Sequence, residues 1–217
     1  MTKLFFLILS LSLFIAACED PAANKPKATT SEPTGNSVSN VPNSTTSATS
    51  QSLPISQENS KIAFTGSKVT GKHGGGFGKF NGTIDLVDGK TDASSVSVEI
   101  DMNSVFTDTA DLTKHLQTGD FFDAAKFPKA SFKSTKIVPD AEKGIGNYTV
   151  IGDLELRGVK KSVTFPAAIT VSDDAVAVSS EFAINRKDFG IVYAGKADDL
   201  IRDNVALKLD LRAPRKK

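Results

Sequence analysis

From about Ser56 onward, apolar and polar residues alternate with period two, which predicts strands with one dry and one wet face. Val96, Val98 and Ile100 alternate with Ser95, Ser97, Glu99 and Asp101. Tyr148, Val150, Leu154 and Leu156 share a face, and so do Val163, Phe165, Ala167, Ile169 and Val171. Val176, Val178, Phe182 and Ile184 form another, and Val205, Leu207, Leu209 and Leu211 one more. Shorter runs carry Ile62 and Phe64, then Phe80, Ile84 and Leu86, then Ala130 and Phe132 after Pro128. That predicts about eight strands. Turns at Asp88-Gly89-Lys90, Lys143–Gly146, Arg157-Gly158 and Asp173-Asp174 make successive strands antiparallel neighbours. One stretch departs from the pattern. Residues 107–123 space Leu112 and Leu116 four apart behind Asp108 and Asp111, which predicts a short amphipathic helix running into Phe121-Phe122. The glycine-rich run Gly71–Gly78 reads as a mobile loop. The expected fold is all-β with a short helix, either a sandwich or a closed barrel of about eight strands.

The first 55 residues differ in kind. Lys3 precedes an apolar run from Leu4 to Ala17, broken only by Ser10 and Ser12. The run is shorter than the ~20 residues a membrane-spanning helix needs, so residues 1–17 read as an export signal. It ends Ile15-Ala16-Ala17-Cys18, which resembles a bacterial lipobox: an aliphatic residue, two small ones, and the cysteine that is lipidated, palmitate included. Cys18 is the only cysteine, so an intrachain disulfide and a multi-cysteine zinc site are excluded. Residues 18–55 are crowded with Ser, Thr, Pro, Asn and Ala and read as a disordered tether that leaves 56–217 as the folded domain. As a coil of ~37 residues it would span on the order of 30–35 Å. Glu19, rather than Asp, follows the cysteine; by analogy with enteric sorting this favours the outer membrane, with the domain facing the periplasm.

Charge and chemistry narrow the function. The 26 Lys+Arg nearly cancel the 25 Asp+Glu, which argues against a nucleic-acid-binding surface. Gly66 to His73 nearly spells a phosphate-binding loop, but His73 stands where Ser or Thr must hold magnesium, and glycines follow in place of a helix. Asp188-Phe189-Gly190 lacks the other kinase motifs and reads as a turn with Phe189 packed. His73 and His115 lie in different segments and read as hydrogen-bonded surface side chains, not as a catalytic or metal pair. Arg186 and Asp188 read as a loop anchor, and Arg212 to Lys217 as a solvated tail. No catalytic residue, metal or cofactor is called for.

Five stretches resemble, in order, the signatures of the YceI family. They are Asp101–Thr107; His115-Leu116 with Gly119–Asp123 and Phe127-Pro128; Phe132–Thr135; Gly152–Lys161; and Asn185–Ile191. Members of that family fold as an extended lipocalin-like antiparallel barrel that binds long apolar molecules. The resemblance therefore implies a barrel in place of a sandwich. It also implies a polyisoprenoid, quinone, polyprenyl phosphate or fatty-acid derivative as ligand. Phe64 departs from the tryptophan often found at that position in related sequences.

Fourteen phenylalanines against two tyrosines suit an apolar pocket, and a hydrocarbon ligand needs few polar contacts. The candidate wall residues are Phe64, Phe80, Val98, Ile100, Phe132, Val150, Leu154, Phe165, Phe182 and Leu207, with Phe106, Phe121 and Phe122 as a lid. The expected function is that of a non-enzymatic envelope lipoprotein that sequesters or carries a long-chain lipid. The alternative is an envelope stress or interaction module with a filled barrel that binds a protein through its loops. The expected partners are the lipid and the membrane reached through Cys18; the sequence leaves the oligomeric state open, a dimer included.

Overall fold

The computed structural model describes residues 19–33 and 49–215. The export signal, Cys18, the middle of the predicted tether and the last two lysines lie outside the described residues. In chain order the strands are β1 Thr29–Ser31, β2 Ser50–Ser56, β3 Lys61–Ser67, β4 Lys72–Phe77, β5 Phe80–Val87, β6 Lys90–Asp101 and β7 Val105–Thr107. They continue with β8 Lys129–Pro139, β9 Asn147–Leu156, β10 Val159–Val171, β11 Ala175–Asn185, β12 Gly195–Lys196, β13 Asp199–Leu200 and β14 Asn204–Pro214. The one α-helix among the described residues, α1, spans Ala110–Leu116.

The eight runs read from the periodicity are β3, β5, β6, β8, β9, β10, β11 and β14. They lie in one antiparallel sheet, in the order β2-β5-β6-β8-β9-β10-β11-β14-β3-β4-β7. The sheet curls because each edge strand is continuous in sequence with a strand of the opposite flank: β2 runs into β3, and β7 continues β6 through the 3-10 turn Met102–Ser104. The result is the barrel-type, all-β fold with a short helix. Tight two-residue turns hold the β5–β6 and β9–β10 hairpins. Asp88 (φ 50°) with Gly89 (φ 68°), and Arg157 (φ 52°) with Gly158 (φ 72°), take the paired positive φ whose twist matches the strands.

The structure corrects two readings. The glycine-rich run is not a loop: Lys72–Phe77 is strand β4, paired with β3 and β7. Glycine is needed there for close approach, because a Cβ on Gly75 would stand 2.4 Å from the Phe106 carbonyl oxygen and 2.5 Å from the Phe64 ring. The second correction concerns the tether. β10 pairs with β11 only over Ala168–Val171, which leaves the sheet split between the rest of these strands. Residues 26–31 fill the split. β1 pairs with Ser162–Thr164 of β10, while on the other side Ala28 donates to the Ala183 carbonyl (2.8 Å) and Ala183 to that of Pro26 (2.8 Å). Farther on, β2 pairs with β5 and buries Leu53 and Ile55 in the main core. Thus parts of 18–55 are wall, not coil. Their low hydrophobicity hid this, because backbone pairing needs no apolar side chain.

Outside the barrel, Ala22 is buried against Ala183 and Ala206. The N-terminal strap is also held electrostatically. Glu181 pairs with Lys25 of the strap and with Lys208 (2.9 Å). Its carboxyl is lowered to about 2, first by the hydrogen bond from Lys25 and then by that from Lys208. A depressed carboxylate contributes stability above its ordinary pKa of 4.5 that is lost as pH falls through about 2. Glu181→Gln is therefore expected to speed tryptic cleavage after Lys27 by about two- to fivefold at neutral pH, the effect of a surface ion pair. The difference from the parent should shrink as pH drops from 4.5 towards 2, read with an acid-active protease. Equal cleavage at neutral pH would remove the ion pair from the account.

Candidate functional site

Inward-facing side chains of the long strands enclose a cavity of about 440 Å³. That lies within the ~300–1,000 Å³ typical of ligand pockets. The lining is almost wholly apolar and runs the length of the barrel. On β10 it extends from Val163 to Val171, about 26 Å at ~3.3 Å per residue. Many of its residues, among them Ile100, Leu154, Val178 and Leu207, are only partly buried although they point inward. The tube is hollow, not plugged by its own side chains.

Strand alternation puts most of the predicted residues on this wall. Val98, Ile100, Phe132, Val150, Leu154 and Leu207 line the cavity, and so do Phe64, Phe165 and Phe182. Phe165 and Phe182 stack, with centroids 4.4 Å apart and an interplanar angle of 12°, and Phe132 tilts against Phe165 at 5.7 Å. Phe80 is a correction: it is buried in the same core but is absent from the cavity wall.

The predicted lid is built differently from expectation. α1 ends at Leu116, shorter than the run from 107 to 123, and residues 117–123 turn back, with Asp123 at φ 49°. Leu112 and Leu116 of the helix and Phe121 and Phe122 of the turn close one end of the tube. Phe122 meets Phe77 (6.1 Å), which meets Phe64 (5.8 Å). Phe106 takes no part: its side chain is 52% exposed and its ring lies against Gly76, outside the cavity. β7 pairs Phe106 with Gly76, and the alternation that turns Val105 inward turns Phe106 outward. Phe77, Leu112 and Leu116 were missed as lining. The helical spacing of the leucines was the available signal for two of them, whereas Phe77 sat in a run read as loop.

Several polar groups near the lidded end are already partnered. Lys68 pairs with Asp199, whose carboxyl is lowered chiefly by that hydrogen bond. His73 Nδ1 lies 2.8 Å from Asp108, and His115 Nε2 lies 2.7 Å from Asp120. His115 also meets the edges of Phe121 (5.0 Å) and Tyr193 (5.2 Å). Arg186, 5% exposed, donates to the carbonyls of Ile191 (2.6 Å), Arg202 (3.1 Å) and Ile201 (3.3 Å) and reaches Asp203 (3.4 Å). Burial lowers its pKa from the ordinary value and Asp203 opposes the change. Arg186 is thus an anchor of the loop, though its partner is Asp203; Asp188 instead accepts from Thr30 (2.7 Å). Phe189 is wholly buried and Gly190 (φ 71°) ends the turn. The arrangement can hold a hydrocarbon chain and offers it few polar contacts.

Comparison with known proteins agrees with this geometry. The YceI-like domain family model matches residues 54–213. A UPF0312 protein of Shewanella denitrificans is 38% identical over 146 residues, 63% of this chain and 71% of that protein. A UPF0312 protein of Vibrio parahaemolyticus is 41% identical over 93 residues, which span 43% of this chain and 48% of that protein. Among solved structures, Burkholderia cenocepacia BcnA superimposes with a TM-score of 0.64 at 24% identity, over 72% of this chain and 97% of that one. A polyisoprenoid binding domain from Saccharophagus degradans, implicated in plant cell wall breakdown, gives 0.60 at 18% identity, over 76% and 100%. These two likenesses concern the fold.

Proposed function

Because the chain belongs to the YceI-like domain family, we propose that it binds one long-chain amphiphilic lipid in its barrel and sequesters or carries it without a covalent step. The observation that carries this reading is the continuous apolar cavity of about 440 Å³. Each methylene moved from water into such a wall contributes about 0.8 kcal/mol, so chain length governs affinity. An isoprenoid quinone, a polyprenyl phosphate or a fatty-acid derivative fits that requirement. The likeness to a polyisoprenoid binding domain supports the same class. The filled-barrel alternative, acting on a protein through its loops, needs a plugged interior, and the open tube favours the carrier.

The carrier is read as an envelope lipoprotein. What supports this is the sequence Ile15-Ala16-Ala17-Cys18 behind a short apolar run, with Glu19 next favouring the outer membrane. Organic extraction of the purified full chain, followed by mass spectrometry, is expected to release a long-chain lipid. A chain that arrives empty and takes up neither an isoprenoid quinone nor a polyprenyl phosphate from micelles would overturn the reading.

A further inference from the structure

Five large apolar side chains are exposed among the described residues, and three of them gather at one end of the barrel. Val69 (55% exposed) sits in the β3–β4 connection, and its N–H donates to the carbonyl of Leu200 (49% exposed; 3.2 Å). Val192 (65% exposed) lies in the same β11–β14 connection as Leu200, folded back by the bond from Ile201 N–H to the Ala194 carbonyl (2.9 Å). This is also the lidded end of the tube, since Ile191 and Ile201, adjacent in sequence to Val192 and Leu200, pack with Leu116 and Phe121 of the lid. Lys72 and Lys196 are exposed beside the patch and have no carboxylate partner among the described residues. Apolar side chains flanked by two unpaired lysines suit the surface of a bilayer with anionic lipid.

The direction of the chain names the occupant. Asp20 is fastened at this same end: it accepts from Ser67 Oγ (3.4 Å) and lies 3.9 Å from Arg202. Ala22 is buried on the outer wall just beyond. Glu19, the residue bonded to Cys18, therefore leaves the barrel beside the patch, not at the far end. We propose that Val69, Val192 and Leu200, with Lys72 and Lys196, form a membrane-docking surface that sets the lidded end of the tube on the bilayer. Hydrocarbon then passes between bilayer and cavity past the side chains of Leu112, Leu116, Phe121 and Phe122 without crossing water. The inference rests on the lipid-carrying reading above for its purpose, but its quenching test does not.

The chain has no tryptophan, so one introduced indole reports only its own surroundings. Leu200→Trp marks the patch. Ile145→Trp marks the opposite end, in the exposed β8–β9 loop. The full chains are mixed with phosphatidylethanolamine–phosphatidylglycerol vesicles containing brominated acyl chains. Emission of the Leu200→Trp protein is expected to shift to the blue and be quenched, and that of the Ile145→Trp protein to stay unchanged. Equal responses would overturn the docking, and so would a Leu200→Trp shift that follows protein concentration without vesicles, the behaviour of a second copy on the patch. Lipid content is read on the same samples: a quenched but empty protein sinks the carrier reading alone, a loaded but unquenched one the docking alone. Val69→Asp with Leu200→Asp is expected to slow lipid uptake from these vesicles about tenfold without changing its final extent; an unchanged rate overturns the proposal.

Discussion

A Leu207→Trp chain is expected to bind its lipid roughly a hundredfold more weakly while keeping its fold. Leu207 stands in register with Phe182 on one neighbouring strand and Phe64 on the other, and all three line the tube. An indole at that point projects into the cavity, so the fold is not overpacked. It bars the ligand from what lies beyond. Excluding about four methylenes at ~0.8 kcal/mol each gives about 3 kcal/mol, two decades in Kd. Titration with a fluorescent fatty acid measures the loss, and circular dichroism checks the fold. Unchanged affinity in a folded Leu207→Trp protein would mean that the hydrocarbon does not lie in the tube.

The largest expected change in stability follows from Phe165→Ala, at about 3 kcal/mol. Phe165 is 6% exposed, stacks on Phe182 and touches Phe132, so it ties β8, β10 and β11 together across the interior. The value sits at the low end of the usual ~3–5 kcal/mol because part of the ring already faces a cavity and not packed atoms. A denaturant titration should show a lower midpoint with an unchanged slope. A loss below about 1 kcal/mol would mean that the stack is not a packed contact.

The alternation of Val96–Ile100, Tyr148–Leu156, Val163–Val171 and Val205–Leu211 was enough to find the long strands, because burial of one sheet face writes a period of two into the chain. The same rule put Val98, Val150, Leu154 and Leu207 on the wall. It failed where hydropathy carries no message. The Gly74-Gly75-Gly76 run of β4 has no side chains to alternate, and Thr29–Ser31 of β1 joins the wall through backbone pairing and the Thr30 hydroxyl, with no apolar side chain. In β2, Pro54 stands between the buried Leu53 and Ile55, and two apolar positions around a proline did not read as a strand. Phe106 was misplaced for a related reason: an aromatic residue near a greasy helix reads as lid until the pairing of β7 with β4 turns it outward.

The amino-acid sequence by itself determined that this chain makes antiparallel strands with a single dry face, and that the dry face is rich in phenylalanine. Both follow from local alternation and composition. Only the tertiary structure decided that the dry faces meet around empty space, that residues 26–31 complete the wall, and that exposed valine and leucine side chains share one end with the start of the described chain. Those facts depend on register, curl and contacts between residues more than a hundred positions apart, such as Lys25 with Glu181 and Thr30 with Asp188. No periodicity along the chain encodes them, because the free energy that selects them is shared among strands brought together only when the sheet curls.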